Sequence, residues 1–243
     1  MKPREVLGKT KNYLRRHAWA IKLVQRLKRA GWPLFWYKIK NSTEPLSHFY
    51  GLDRGQALDR FYIENFLQEN RGFIAGRCLE ILNNEYSLKF GGKQVTQADI
   101  LDIETKNPKA NIIADLRRMP EILSETYDCL ILTQTLQFID NIPNALAECS
   151  RILKPGGYIL ATLPALSRID CVAGKDGDFW RFTEAAANYL FKKDFQTVFT
   201  KSYGNCRSAM LFLAGAAQEE VSQKVLEKTD PDFPVIIGVL AQK

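Results

Sequence analysis

Hydrophobic residues change their spacing along this chain. Between residues 11 and 30, Tyr13, Leu14, Ala18, Ile21, Val24 and Leu27 recur at three- and four-residue steps. Arg15, Arg16, Lys22, Arg26 and Arg29 fall mainly on the other faces. That period predicts an amphipathic helix, ended by Gly31 and Pro33. A second helix is predicted over residues 55–69, with Leu58, Phe61, Tyr62, Phe66 and Leu67 on its apolar side. Strand patterns then take over, at residues 77–82, 92–101, 110–116, 127–134 and 158–164. "YDCLILTQ" is apolar almost without interruption, as a strand covered on both faces should be. An amphipathic helix at 142–153 precedes "KPGG", which stops it. Helices at 183–192 and 206–217 alternate with strands at 195–202 and 234–242. Strand and helix in alternation predict a doubly wound, Rossmann-like α/β sheet, mostly parallel with right-handed crossovers. An antiparallel last strand and a basic helical N-terminal arm complete the expected architecture. The expected organisation is an arm over residues 1–48 and one domain over 49–243.

Charge sharpens that division. Residues 1–41 hold 12 Lys/Arg and one acid, Glu5, for +11, and the other 202 residues hold 22 bases and 26 acids, for −4. The arm carries the net charge of +7 on a mildly acidic body. Its aromatic and basic stretch "PLFWYKIK" suits either packing on the body with a solvated basic face or peripheral contact with anionic lipid. An acidic body lacks the broad basic surface that nucleic acid requires. The longest uncharged apolar runs are too short to cross a bilayer, and Lys22, Arg26, Lys28 and Arg29 interrupt any signal-peptide core. Five scattered cysteines without a CxxC pair fit a reducing, cytoplasmic setting and no disulfide or zinc framework. With only two histidines, no metal site is expected.

In open parallel sheets, ligands bind beyond the carboxyl ends of the strands. The residues expected there are Glu80 with Asn83 and Asn84, then Asp99, Asp115, and Thr133 with Gln134. Asp99 follows Glu80 by 19 residues, near the spacing at which an acid accepts hydrogen bonds from ribose hydroxyls.

These segments together resemble the class I S-adenosyl-L-methionine (SAM)-dependent methyltransferases. "LAECSRILKPGGYILATLP" is similar to the family's helix, turn and fifth strand. "YDCLILTQTLQFI" resembles its fourth strand and loop, with Gln137 where relatives often carry histidine. "IIADLRRMP" resembles the segment whose aspartate, here Asp115, lies near the adenine. "VTQADIL" resembles the second strand, with Asp99 as the ribose-binding acid. The resemblance spans roughly residues 50–243. It implies SAM as cofactor, held by Glu80, Leu82, Asn83, Asp99, Ile100, Asp115, Leu116, Thr133 and Gln134.

"GLDRGQALDRFYIENFL" and "DFWRFT" further resemble a bacterial subgroup found with polysaccharide-building enzymes. That implies O-methylation of a glycan, sugar or sugar-linked small molecule. His48 or Asp178 would take the hydroxyl proton, Trp180 would stack on a sugar face, and Arg181 would hold a carboxylate or phosphate. Arg60 and Tyr62 would cover SAM.

One departure stands out. After the first strand the family shows acid-x-Gly-x-Gly-x-Gly, whereas Leu82, Asn84 and Tyr86 occupy those glycine positions here. Asn83 or Asn84 would tolerate positive φ. A leucine held there would be strained by on the order of 1–3 kcal/mol, and its side chain would fill space meant for the methionine end of SAM. This leaves a second reading open, a methyltransferase-fold protein without catalysis that serves as a binding module or scaffold.

Overall fold

A computed structural model describes residues 18–29 and 41–243. Most of the expected arm, including "PLFWYKIK", lies outside the described residues. Within it, α1 (Ala18–Arg29) forms where the periodicity placed a helix. Its Leu23, Val24 and Leu27 are exposed rather than packed on the body. The Gln25 side-chain amide donates to the Leu52 carbonyl at 3.2 Å.

Seven strands form one sheet among the described residues: β1 (Gly76–Ile81), β2 (Val95–Asp102), β3 (Ile112–Ile113), β4 (Tyr127–Thr133), β5 (Leu153–Pro164), β6 (Thr197–Tyr203) and β7 (Ile236–Gln242). Their order is β3-β2-β1-β4-β5-β7-β6. The first five run parallel, and β7 lies antiparallel between β5 and β6. The Rossmann-like class and the antiparallel last strand expected from the sequence are both present.

Two apolar layers hold the sheet. On one side α2 (Asp59–Glu69) presents Tyr62, Ile63, Phe66 and Leu67 to Cys78, Cys129, Ile131, Leu160 and Leu240, joined by α5 (Cys206–Leu213). On the other, α3 (Ile142–Ile152) and α4 (Glu184–Phe191) cover Leu79, Leu130, Leu132, Ile159 and Val239. A short helix, α6 (Gln223–Leu226), lies in the charged connection before β7. Caps set several helix starts. Asn141 accepts from Asn144 N–H, Thr183 from Ala186 N–H and Asn205 from Ser208 N–H, each pairing an otherwise orphaned amide.

Two boundaries differ from expectation in ways that matter. β5 begins at Leu153 and runs through "KPGG", because Gly156 takes a φ of +79° and the strand continues past it. β2 ends at Asp102 and not near Asp99. Its interior tolerates the Asp99 carboxylate because neighbouring side chains pair with it, as described below.

The α2 layer presses closely on β7. A Cβ at Gly238 would lie 2.5 Å from the Phe66 ring. Overpacking of this kind costs about 1–3 kcal/mol. Gly238→Ala should therefore lower the urea midpoint by that equivalent without changing the slope; an unchanged midpoint would show that Phe66 yields freely.

Candidate functional site

The carboxyl ends of β1 to β4 open into a cavity of about 710 Å³, within the range of small-molecule sites. It starts at the turn after β1. Glu80 is buried, and its carboxylate points back at the following chain. It accepts from Tyr86 N–H at 3.2 Å, Ser87 N–H at 2.8 Å and the Ser87 hydroxyl at 2.5 Å. Burial pushes its carboxyl up, and these hydrogen bonds pull only part of the way back. Glu80 is thus fully engaged in shaping the turn.

Leu82 takes the left-handed conformation, with φ +68°, and neither asparagine does so. Its N–H donates to the Leu101 carbonyl, and its own carbonyl accepts from the Asn107 side chain at 2.8 Å. Its side chain is 58% exposed and lines the cavity. Asn83 lines the cavity too, with Oδ1 accepting from Glu85 N–H, whereas Asn84 turns back to the Ala98 carbonyl.

Asp99 and Ile100 do not line the cavity. Asp99 sits inside β2 and accepts from Arg77, Gln97, Asn111 and the Tyr127 hydroxyl. Burial pushes its carboxyl up, but the bonds from Gln97, Asn111 and Arg77 and the charge of Arg77 outweigh that and leave it below the usual range. The acid that ends β2 is Asp102, buried and cavity-lining. It follows Glu80 by 22 residues and meets the same spacing rule. Asn107 bridges Asp102 Oδ2 and the Leu82 carbonyl, tying the two turns together.

Asp115, Leu116, Thr133 and Gln134 lie where the sequence placed them, on the cavity wall. Hydrogen bonds from Arg117 hold Asp115 below its ordinary carboxyl value, against a smaller effect of burial. Gln134 also has positive φ, +48°. Its Nε2, and Oε1 of the buried Gln137, have no hydrogen-bond partner. Asp59 and Arg60, at the start of α2, line the same cavity. Arg60 donates to the Tyr86 hydroxyl at 2.8 Å, and Asp59 Oδ1 is buried without a partner. Tyr50, whose hydroxyl donates to Asp170 Oδ2 at 3.2 Å, closes another side. Tyr62 lies in the core instead.

His48 and Asp178 are not cavity residues. His48 is exposed and faces Glu44 at 3.3 Å. Asp178 is buried against Arg181, in a two-point ion pair, and also accepts from Asp170 N–H. Arg181 is thereby turned inward, and its remaining bonds go to the carbonyls of Ser167, Arg168 and Trp180. Trp180 and Arg181 line a separate cavity of about 540 Å³ with Asp140, Asn141 and Tyr189. There the Trp180 ring N–H is bonded to the Ile139 carbonyl.

The sequence reading missed Asp59, Asp102, Asn107 and Asp170. The second acid of "DILD" carried a signal at the correct spacing. Asn107 and Asp170 depend on loops whose approach no local pattern announces, and Asp59 stands at the start of α2.

Residues 72–161 match the sequence profile of the family described as "Methyltransferase domain". No curated protein matches the chain. A SAM-dependent methyltransferase from Archaeoglobus fulgidus shares the fold with a TM-score of 0.52 at 13% identity, over 76% of this chain and 94% of its own. So does a chain from the Haloferax volcanii complex of the Trm112 methyltransferase activator with a candidate methyltransferase. There the TM-score is 0.52 at 14% identity, over 76% and 90% of the two chains. A candidate sarcosine dimethylglycine methyltransferase from Galdieria sulphuraria gives 0.50 at 14%, over 77% and 86%.

Two stability predictions follow from this geometry. A left-handed leucine costs about 1–2 kcal/mol, while glycine adds about 0.5–1 kcal/mol of unfolded-chain entropy. Leu82→Gly should hence be as stable as Leu82→Ala within about 1 kcal/mol; a much larger loss by urea unfolding would contradict the left-handed turn. Asp99 titrates lower when folded, so its contribution is complete above the unfolded value of about 3.9 and fades as pH falls through the folded one. Asp99→Asn should destabilise at pH 7 and flatten the fall in stability below about pH 4; an acid limb identical to the parent's would refute the pairing.

Proposed function

We propose that this protein transfers the methyl group of SAM to a hydroxyl of a glycan, sugar or sugar-linked acceptor. The observation that carries the reading is the convergence of the strand-end acids Asp102 and Asp115 on one cavity at the carboxyl ends of β1 to β4. The methyltransferase-domain match and the fold support SAM as the cofactor. Asp102 would accept the ribose hydroxyls, and Asp115 and Leu116 would border the adenine, in the order the strands present them.

SAM supplies an activated methyl group on a positively charged sulfur. The chain's share is orientation and electrostatics. Gln134 and Gln137 line the same cavity and would border the acceptor. With His48 and Asp178 away from the cavity, Asp170 is the group proposed to receive the hydroxyl proton, either directly or through Tyr50, whose hydroxyl would take that proton as it passes its own to Asp170. The cavity beside Trp180 and Tyr189 would seat a further sugar ring. Both aromatics are exposed there. In the arm, exposed Leu23, Val24 and Leu27 beside Lys22 and Arg26 favour peripheral contact with anionic lipid. No helix among the described residues is long and apolar enough to cross a membrane.

A second reading, a binding module without catalysis, is favoured by the Leu82 side chain standing in the cavity. Calorimetry with S-adenosylhomocysteine, followed by transfer assays from labelled SAM to sugars and glycans, separates the two. Binding with transfer is expected. Binding without transfer to any acceptor favours the module, and no binding by folded protein refutes the methyltransferase reading and leaves the module. Asp102→Asn should weaken S-adenosylhomocysteine at least about tenfold, through loss of a charge-assisted hydrogen bond; unchanged affinity would remove Asp102 from the ribose site.

A further inference from the structure

A helix that packs on a globular body turns its apolar stripe toward that body. In α1 the sides are reversed. At about 100° per residue, Leu23, Val24 and Leu27 fall on one side and Gln25 falls roughly opposite their centre. Of residues 22–27, Gln25 alone is not exposed, and its side-chain amide bonds to the body at the Leu52 carbonyl. Leu23, Val24 and Leu27 are exposed on the side turned away. Exposed Lys22 and Arg26 run along one edge of that stripe. The helix is thus tied down by its polar side, with its apolar side facing out.

Leu52, where α1 is tied, stands at the mouth of the large cavity, since it both lines the cavity and is exposed. Ile103 and Val172 do the same from two other loops. The loops that carry Leu52 and Val172 are bonded to each other. The Tyr50 hydroxyl donates to Asp170, and Arg168 donates to the His48 carbonyl. These two loops also expose Phe49 and Ile169. Single exposed apolar residues are ordinary, but a group of them on joined loops marks a contact surface. Charge selects the occupant. A second copy would bring its own +11 arm against this one, and like charges repel. An anionic bilayer complements both parts of the surface, with acyl chains for the stripe and headgroup phosphates for Lys22 and Arg26.

We propose that α1 and the apolar rim of Leu52, Ile103 and Val172 dock on an anionic lipid bilayer, with the mouth of the cavity against its surface. The contact therefore involves the cavity as well as the arm. On the methyltransferase reading above, such a mouth takes its acceptor from the membrane. That consequence rests on the reading, and the docking does not.

The test uses the full chain and no nucleoside, so docking is read separately from the methyltransferase reading. The protein is floated with vesicles of phosphatidylcholine and phosphatidylglycerol, and with vesicles of phosphatidylcholine alone. Binding is expected on the anionic vesicles, weaker on the neutral ones, and falling as salt rises. Lys22→Gln with Arg26→Gln should weaken it about 25-fold, at about fivefold per charge. Leu23→Gln with Leu27→Gln should weaken it at least about tenfold. All four side chains are exposed, so both double variants should keep the parent's urea midpoint. Cys171, next to Val172, reports on the mouth. Cys171 and Cys206 are the exposed thiols, and the other three cysteines are buried. A polarity-sensitive fluorophore on Cys171, in a Cys206→Ser background, should shift to the blue on anionic vesicles and be quenched by brominated lipid. No vesicle binding, or binding that both double variants leave unchanged, overturns the proposal. Binding with an unmoved Cys171 signal overturns the placing of the mouth. A chain that is dimeric without lipid, and monomeric after Leu23→Gln with Leu27→Gln, would assign the stripe to a second copy instead.

Discussion

The Glu80 carboxylate, closed on the amides of Tyr86 and Ser87, governs the ligand-facing end of the sheet. It forces the chain to turn back within six residues of leaving β1. Leu82 must then adopt a left-handed backbone, and its carbonyl is directed to Asn107, which also grips Asp102. A single buried anion thereby fixes the first turn, and through Asn107 the first turn fixes the second. The strain at Leu82 is maintained by this surrounding set of bonds, as strained residues at functional positions generally are.

Acidic residues in this domain divide by environment into two kinds. Asp99, Asp178 and Glu80 are buried and satisfied, with their oxygens committed to protein donors. Asp59, Asp102, Asp115 and Asp170 face the cavity and keep acceptor capacity there. The same division separates the arginines. Arg77 and Arg181 neutralise interior carboxylates, whereas Arg60 donates to the Tyr86 hydroxyl and feels the charges of Asp59 and Glu64. Function is therefore assigned by what each group is already bonded to, more than by residue type.

The sheet was legible because its periodicities are strong. The continuous apolar run of β4 and the alternation from Ile142 to Pro164 leave few other arrangements. The cavity's outline was legible too, since Glu80, Leu82, Asn83, Asp115, Leu116, Thr133 and Gln134 all reach it. Asp99 misled because an acid inside a parallel strand is rare without partners. Its partners, Arg77, Asn111 and Tyr127, come from three other segments that no local pattern connects to it. Asn83 and Asn84 misled for a related reason. They are better suited to positive φ than leucine, but the closure by Glu80 places the reversal one residue earlier. His48 and Asp178 were plausible as bases by residue type, yet His48 is exposed beside Glu44 away from the cavity and Asp178 is paired with Arg181. Asp59 was hidden as an ordinary helix-start acid, and its place on the cavity wall comes only from the packing of α2.

The central claim is that a turn with a left-handed leucine still admits the cofactor at the ends of β1 to β4. The most direct measurement is a crystal structure of the protein with S-adenosylhomocysteine. The account predicts the nucleoside between Asp102 and Asp115, with Leu82 still at positive φ. A ligand bound elsewhere, or a cavity in which the Leu82 side chain occupies the homocysteine position, would contradict it.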